Sequence, residues 1–457
     1  MGLAVRVFNQ YPRDEFRHMI HDEVDKWVDL IIDEVFEDCK QPTVMEISEL
    51  FERTKQKFFG ACFKVLIEQK YADMLNQRYA ACPECGNMCK KRRDSHKEIE
   101  TMQGPSDLKR PWFYCADCSY GFSPLDKVIE ISRKKYQYDV QKKATRTAAE
   151  VSFSGGGELF NELTGHPISD HFMHETFEDV GSFACMDDVI PNPEEIVERI
   201  KSVKEGAWRP LLVIASDGAH VPTRPKARRD EKRGKGQWME AKGFRIYLLG
   251  KDRIVHVASW HQIQNEEKFG QDLAMAASRI AQDDLRIGLL GDGADWLWKH
   301  MVACFPKGRQ ILDYYHCSEH IHKVAKLQYG EKSKKCLEWV ESTMTRLFYA
   351  EVDNVIWGLE RMQPKDEATG EEIRKLIGYL QNNRERIHYK GDRIGGYPIG
   401  SGGIESANKF ICHTRMKRSG AWWVRETGNE MLAIRCAIYN GTYDRIFEKY
   451  KKARMPA

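Results

Sequence analysis

At 457 residues the chain is too long for one ordinary hydrophobic core, so roughly two to four domains are expected. Its net charge is only +3 although 30% of its residues are charged, so bulk basicity cannot hold a polyanion and any nucleic-acid surface must come from local clusters. A mean hydropathy of -0.59 with no long apolar run excludes a bilayer-spanning helix, and the opening MGLAVRVFNQYPRDEF lacks the basic and apolar blocks of a signal peptide. Thirteen scattered cysteines suit reduced thiols or a metal site better than a disulfide framework, and with no signal peptide a cytoplasmic protein is expected.

Residues 1–78 read as a helical region. Phe16, Ile20, Trp27, Ile31 and Val35 keep one helical stripe, and Ile47, Leu50, Phe51, Phe58, Cys62 and Leu66 keep another after the break at Pro42. Asp22, Asp25, Asp29, Asp33 and Glu37 give the first helix an acidic, solvated face.

The composition then changes. Cys82 with Cys85 and Cys115 with Cys118 are paired C-x-x-C knuckles, the spacing that lets two thiolates of each pair reach one tetrahedral zinc. Residues 79–130 are therefore expected to form a zinc ribbon, with a hairpin filling the long interval and Cys89 and His96 as weaker ligand candidates. Four thiolates leave no open coordination position, so the role is structural. Lys90, Lys91, Arg92 and Arg93 beside it suit a nucleic-acid backbone, though a solvated loop has the same composition.

Residues 131–204 read as helical. Glu158 to Leu163, a turn at Gly165, His166 and Pro167, and a helix capped by Ser169 with Ile168 and Met173 as its staple can make a helix-turn-helix or a plain helical packing unit. Asn192, Pro193 and the charged helix after them read as the linker into the strand at Leu211.

From 205 the pattern becomes α/β. Leu211 to Ala215 is a continuous apolar run with β-branched members, a strand buried on both faces that ends on Asp217. Gly243 to Leu249 and Arg253 to Trp260 follow as a hairpin around Gly250, Lys251 and Asp252. Glu266 to Ala281 is helical, Leu285 to Leu290 is a strand running into Asp292, and Gln310 to Tyr315 is a strand carrying Asp313 ahead of His316. Three antiparallel strands, a helix and two more strands is the order of an RNase H-like domain, whose carboxylates gather at adjacent strand ends. Between the first two strands, Arg224, Lys226, Arg228, Arg229, Lys232, Arg233 and Lys235 crowd a stretch suited to phosphate contact beside Asp217.

After His316 the chain is helical through 396, with stripes at Leu337, Val340, Met344 and Leu347, at Val352, Val355, Ile356 and Leu359, and at Ile373, Leu376, Ile377 and Leu380. Residues 323–396 thus read as an all-α insertion between two core parts, 205–322 and 397–457. In YPIGSGGIESANKFICHTRMKRSG, glycines precede a helix that Ile404, Ala407 and Ile411 lay on the sheet. Glu405 projects from its first turn, a position that also suits a plain dipole partner.

These segments, DGAHVPTR, GDGADWLW, LDYYHCSEHI and IGSGGIESANKFICHTRMKRSGAWW, resemble the DDE transposases of bacterial insertion sequences, in particular the Kra-type (ISKra) group. The Asp-x-x-His of Asp313 and His316 also resembles Mutator-like enzymes. The resemblance covers roughly residues 205 to 445 and implies Asp217, Asp292 and Glu405 as a catalytic triad holding two magnesium or manganese ions. It accounts for the long interval between Asp292 and Glu405 by the helical insertion, and Gly403 departs from it where a bulkier apolar residue is usual. Hard cations take oxygen ligands, so carboxylates are the right side chains for phosphodiester cleavage and strand transfer. On this reading Asp217 bridges the ions, His316 contacts the scissile phosphate or orients a ligand, although a satisfied core histidine fits equally, and Arg415, Lys417 and Arg418 grip DNA. Trp298, Trp422 and Trp423 either pack in the core or stack on an unpaired base. The implied partners are double-stranded DNA, at element ends and target, and further copies of the chain. A DNA-binding regulator without catalysis and an RNase H-fold nuclease are the alternatives.

Overall fold

The computed structural model describes residues 13–36, 41–204, 209–226 and 234–456. They divide into two compact units: one runs to Val180 and takes up the chain again from Phe447, and the other spans Gly181–Ile446. This differs from a core beginning at 205 and running to the C-terminus. The supposed linker is the reason: Asn192 and Glu195 form a capping box for the helix Pro193–Lys201, and Arg199 on it donates to the carbonyls of His256, Val257 and Asn440. That stretch is riveted into the second unit.

In the first unit, helices Arg13–Phe36 and Val44–Lys70 pair through Trp27, which stacks on Phe58 at 4.8 Å and meets Phe51 edge-on at 5.2 Å. Val65 rather than Leu66 turns inward at the end of the second stripe. Asp22, Asp25, Asp29 and Asp33 are exposed as expected, and Glu37 lies outside the described residues. Strands β1 (Tyr79–Ala81), β2 (Met88–Thr101), β3 (Gly104–Cys115) and β4 (Tyr120–Phe122) form an antiparallel sheet in that order. Lys90 to Arg93 therefore lie on a strand and not in a loop. Ile99 and Leu108 of the long hairpin pack with Ile131 and with Phe63 and Ile67 of the second helix.

The helix pair Gly156–Thr164 and Asp170–Gly181 has the expected left-handed Gly165 and a Ser169 cap on the Phe172 N–H. Its turn is not free. His166 is fully buried, with Nδ1 3.1 Å from Glu100 Oε1, and the outer face of the following helix carries His171, His174 and Glu175 instead of a basic stripe. That favours the packing-unit alternative over a recognition helix.

The second unit is built on a five-stranded sheet: β5 (Leu211–Thr223), β6 (Gln237–Leu249), β7 (Ile254–Ile263), β8 (Arg286–Gly291) and β9 (Arg309–Leu312), ordered β7-β6-β5-β8-β9. Strands β5, β6 and β7 run antiparallel, whereas β8 and β9 run parallel to β5. The apolar run Leu211 to Ala215 occupies the centre of this sheet, and its side chains are buried. Helices Glu266–Ser278 and Asp295–Cys304 follow β7 and β8. Helices Tyr314–Tyr329, Lys334–Phe348, Val352–Glu360 and Glu367–Asn382 follow β9, the first of them starting ahead of the 323 boundary read from sequence. Within them Leu337 is 58% exposed and departs from its stripe, while Val340, Met344 and Leu347 are buried.

A polar rivet ties this unit together. Asn440, at the end of the helix Arg425–Asn440, accepts from the Ser259 N–H at 2.8 Å and contacts His256 Nε2 at 2.9 Å, and its amide donates to the carbonyls of Val189 and Ser259. Burial holds the His256 imidazole down to about 3, helped by the Arg245 and Arg199 charges and opposed by its bond to Asn440. The unfolded chain protonates this histidine near its ordinary 6.5, so the stability it contributes is complete above that pH and is lost as pH falls toward the folded value. We expect His256→Gln to remove part of the acid sensitivity. The gap between wild-type and variant stability should narrow by about 2–3 kcal/mol between pH 7 and 4.5 in urea melts, and parallel pH profiles would exclude the effect.

Candidate catalytic pocket and metal centre

Strand β5 does not stop at Asp217. It continues to Thr223, and Asp217 sits where its parallel partner β8 departs: the β5–β8 pairing ends at Ala215 opposite Leu290, while Asp217 still pairs with Gly243 on β6. On the neighbouring strand the chain turns out at Gly291, which places Asp292 beside it. Gly293 has φ +107, and a Cβ there would lie 2.8 Å from the Tyr379 ring, so only glycine suits this turn. Tyr379, from the insertion, donates its hydroxyl to the Asp292 carbonyl at 3.0 Å.

The strand read as Gln310 to Tyr315 ends at Leu312. Asp313 instead caps the helix Tyr314–Tyr329: its Oδ1 accepts the His316 N–H at 2.6 Å and its Oδ2 accepts the Ser401 N–H. Both oxygens are committed to the backbone, so Asp313 ties the end of β9 to the start of the helix Gly402–Asn408. Ile404, Ala407 and Ile411 are buried against the sheet, and Glu405 stands in the first turn with Oε1 accepting from the Ser401 hydroxyl at 2.6 Å. Arg245 donates to the Gly403 carbonyl at 2.6 Å. A Cβ on Gly403 would lie 2.8 Å from the Tyr247 ring, so a bulkier residue has no room there.

Asp217, Asp292, Glu405 and His316 line one pocket of about 100 Å³ together with Asp313, Glu319 and Ser401. Burial pushes the Asp217 carboxyl up to about 6, the Asp292 and Glu240 charges add to this, and the Gly218 N–H and His316 oppose it. A carboxyl raised by burial and by neighbouring carboxylates is one whose charge a bound divalent cation would neutralise. All the convergent donors are oxygens apart from His316, which fits a hard divalent cation. His316 is 40% exposed, 3.6 Å from Glu319, and so is not a satisfied core histidine. Glu319, Ser401, His261 and Asn408 were not singled out from sequence. The signal for Asn408 was an amide falling in register with the apolar stripe of Ile404, Ala407 and Ile411.

The thiols of Cys82, Cys85, Cys115 and Cys118 all lie within 4.8 Å of one another, with Cys82–Cys118 at 3.4 Å and Cys85–Cys115 at 3.6 Å. Those separations fit four thiolates around one zinc, whose ~2.3 Å bonds set similar tetrahedral edges. The Cys118 N–H and thiol hold the Cys115 thiol down to about 6. Cys89 stands outside the cluster with its thiol on the Asn87 carbonyl, and His96 is turned to Asp107 at 2.7 Å. Cys118→Ser is expected to eliminate zinc retention through purification and to lower the melting temperature of the first unit. Elemental analysis and calorimetry decide it, and an unchanged melt in a zinc-free wild type would remove the structural role.

The basic positions separate. Lys91 pairs with Asp94 at 2.6 Å, Arg92 lies over Tyr114, and Arg93 is exposed. The Arg224 N–H donates to the Trp423 carbonyl, and Arg228, Arg229, Lys232 and Arg233 lie outside the described residues. Lys417 and Arg418 are exposed. Arg415 is not a backbone grip: it is 3% exposed over the Trp423 ring, and burial holds its guanidinium down to about 10. Trp298 and Trp423 are buried, whereas Trp422 is 40% exposed.

Residues 41–453 match the family model described as Uncharacterised protein family (UPF0236). The chain belongs to this family. No curated protein matches this UPF0236 chain. Among solved structures it is similar to the Drosophila P element transposase strand transfer complex, at 12% identity, covering 70% of this chain and 82% of that one with a TM-score of 0.25. A likeness at that level carries no argument about fold or activity. No helix among the described residues is long and apolar enough to cross a membrane.

Proposed function

We propose that the protein is a DDE-type DNA transposase that binds the terminal inverted repeats of an insertion sequence and catalyses metal-dependent DNA cleavage and strand transfer. The observation that carries this reading is the convergence of Asp217, Asp292 and Glu405, from the centre of the sheet, the end of β8 and a helix far along the chain, in one pocket with His316. The sheet order β7-β6-β5-β8-β9, with β8 and β9 parallel to β5, suits an RNase H-like core, and the four motif segments resemble those of insertion-sequence transposases.

Asp217, Asp292 and Glu405 would together hold the divalent cations. When bound, such ions activate a water or 3'-hydroxyl and stabilise the leaving oxygen. The protein's part is placement. The Gly218 N–H, at 2.7 Å from Asp217 Oδ1, and the Ser401 hydroxyl on Glu405 fix carboxylate orientation before substrate arrives. His316, half-exposed among the pocket's lining residues, would donate to a scissile phosphate. Exposed Lys417 and Arg418, with Arg92 and Arg93 on β2, would contact DNA phosphates; Arg415 would not.

The test is magnesium-dependent cleavage and strand transfer on element-end DNA by the intact protein and Asp292→Asn. Lost chemistry with retained DNA binding is the expected result. Equal activity in both removes Asp292 from the site, cleavage without joined products indicates a nuclease, and binding without cleavage by either indicates a regulator.

A further inference from the structure

Asp217, Gly243 and His261 form one row across three strands: Asp217 pairs with Gly243 on β6, and Gly243 pairs with His261 on β7. The middle position has no side chain. A Cβ on Gly243 would lie 2.0 Å from His261 Cδ2, so the glycine is what lets the imidazole lie across β6 toward the first strand. His261 is fully buried, and its Nε2 is 2.8 Å from Asn408 Oδ1. Asn408, 3% exposed, donates its amide to Asp217 Oδ2 at 2.8 Å.

The direction of this chain follows from charge. A carboxylate oxygen only accepts, so Asn408 must turn its NH2 to Asp217 and its oxygen to His261, which then carries its proton on Nε2. The other ring nitrogen faces the Cys436 thiol at 4.0 Å. Asn408 also stands one turn after Glu405 on the same short helix. One helical turn therefore presents Glu405 to the pocket and, through Asn408, fixes the carboxylate on the central strand.

We propose that His261 and Asn408 are positioning residues that orient Asp217 for divalent-cation binding. Neither touches the pocket: the lining residues do not include them, and His261 reaches Asp217 only through Asn408. The inference rests on the metal-site reading above. It adds that the site's geometry is set by β7, two strands away from Asp217.

The experiment is a manganese(II) titration of the full chain followed by electron paramagnetic resonance, with thermal melts alongside. Asn408→Ala and His261→Leu are expected to weaken manganese binding about ten- to a hundredfold, the range for loss of a ligand's supporting partner. His261→Gln, which keeps a donor for the Asn408 oxygen, is expected to bind within a few-fold of wild type; rescue by a donor, and not by bulk, distinguishes positioning from core filling. Wild-type affinity in Asn408→Ala, or equal weakening by Gln and Leu at 261, overturns the proposal. Should His261→Leu fail to fold, Asn408→Ala against His261→Gln decides alone. Asp217→Asn is the control. If it binds manganese like wild type, the metal-site reading falls and the inference with it. If it loses binding while Asn408→Ala does not, only the inference falls.

Discussion

Asp217→Asn is expected to abolish magnesium-dependent cleavage, by a factor on the order of a thousand or more, and at the same time to raise the melting temperature of the metal-free protein. The two effects share one cause. A carboxylate at the end of the β5–β8 pairing is held out of water, with the Asp292 and Glu240 charges facing it, and its carboxyl is pushed up to about 6 from 3.8. For a carboxyl raised on folding, the unfolded chain gives up the proton first. The folded state therefore loses stability as pH rises from 3.8 to about 6, a cost on the order of 3 kcal/mol at neutral pH. Asparagine removes that cost. It also forces one amide to turn away, because Gly218 and Asn408 both donate to position 217, and a lost neutral hydrogen bond is worth roughly 1 kcal/mol. The gain exceeds the loss. Melts without metal at pH 7.5 should favour the variant, and the difference should shrink below pH 6 and close near pH 4, where the raised carboxyl costs the folded wild type less than about 1 kcal/mol. A variant that melts lower at pH 7.5, or that still cleaves, would sink the argument.

Arg435→Met is expected to destabilise the second unit by about 3–5 kcal/mol, with activity falling in parallel. The helix carrying Glu405 does not run on as an α-helix. Residues Lys409–His413 form a π-helical turn, a geometry that leaves carbonyls without their usual partners. Arg435, 1% exposed, fills that gap: its Nε lies 3.1 Å from the Phe410 oxygen and 3.0 Å from the Ile411 oxygen, and its Nη2 donates to the Thr414 hydroxyl at 3.0 Å. Methionine keeps much of the volume but leaves these acceptors buried and unsatisfied. Urea titration gives the stability change, and manganese affinity shows whether Glu405 moves with the turn. A loss under about 1 kcal/mol would mean the turn is held by its apolar packing alone.

Much of this was legible in the residues. The double-sided apolar run at Leu211 to Ala215 marked a central strand, because only burial on both faces tolerates such a sequence. The C-x-x-C pairs marked a cysteine cluster because their spacing serves one ion and little else. Strand ends were less legible. Asp217 lies within β5 because β6 pairs along its whole length, a fact of partners and not of local propensity. Asp313 reads as strand from its neighbours Ile311 and Leu312, yet its short carboxylate serves better as a cap. Arg415 reads as a surface cation in a basic run, and only the position of Trp423 over it reveals a buried one. Asn408 showed only as an amide in register with an apolar stripe, and His261 was invisible because a contact between β7 and a distant helix leaves no spacing to count.

The position of Asp217 on β5 has a kinetic consequence. Backbone amides of Leu211 to Ala215 are hydrogen-bonded between strands on both sides and buried, so they belong to the segment that opens only when the whole unit unfolds, and should be the last to exchange with deuterium. Asp292 follows a strand end at a glycine turn, and Glu405 rides on a seven-residue helix that leads into a π turn. Those two segments are expected to open locally at a fraction of that cost. The pocket is thus one immobile carboxylate facing two that breathe, and exchange at residues 291–294 and 402–413 should slow when a divalent cation binds while exchange at 211–215 stays as it was.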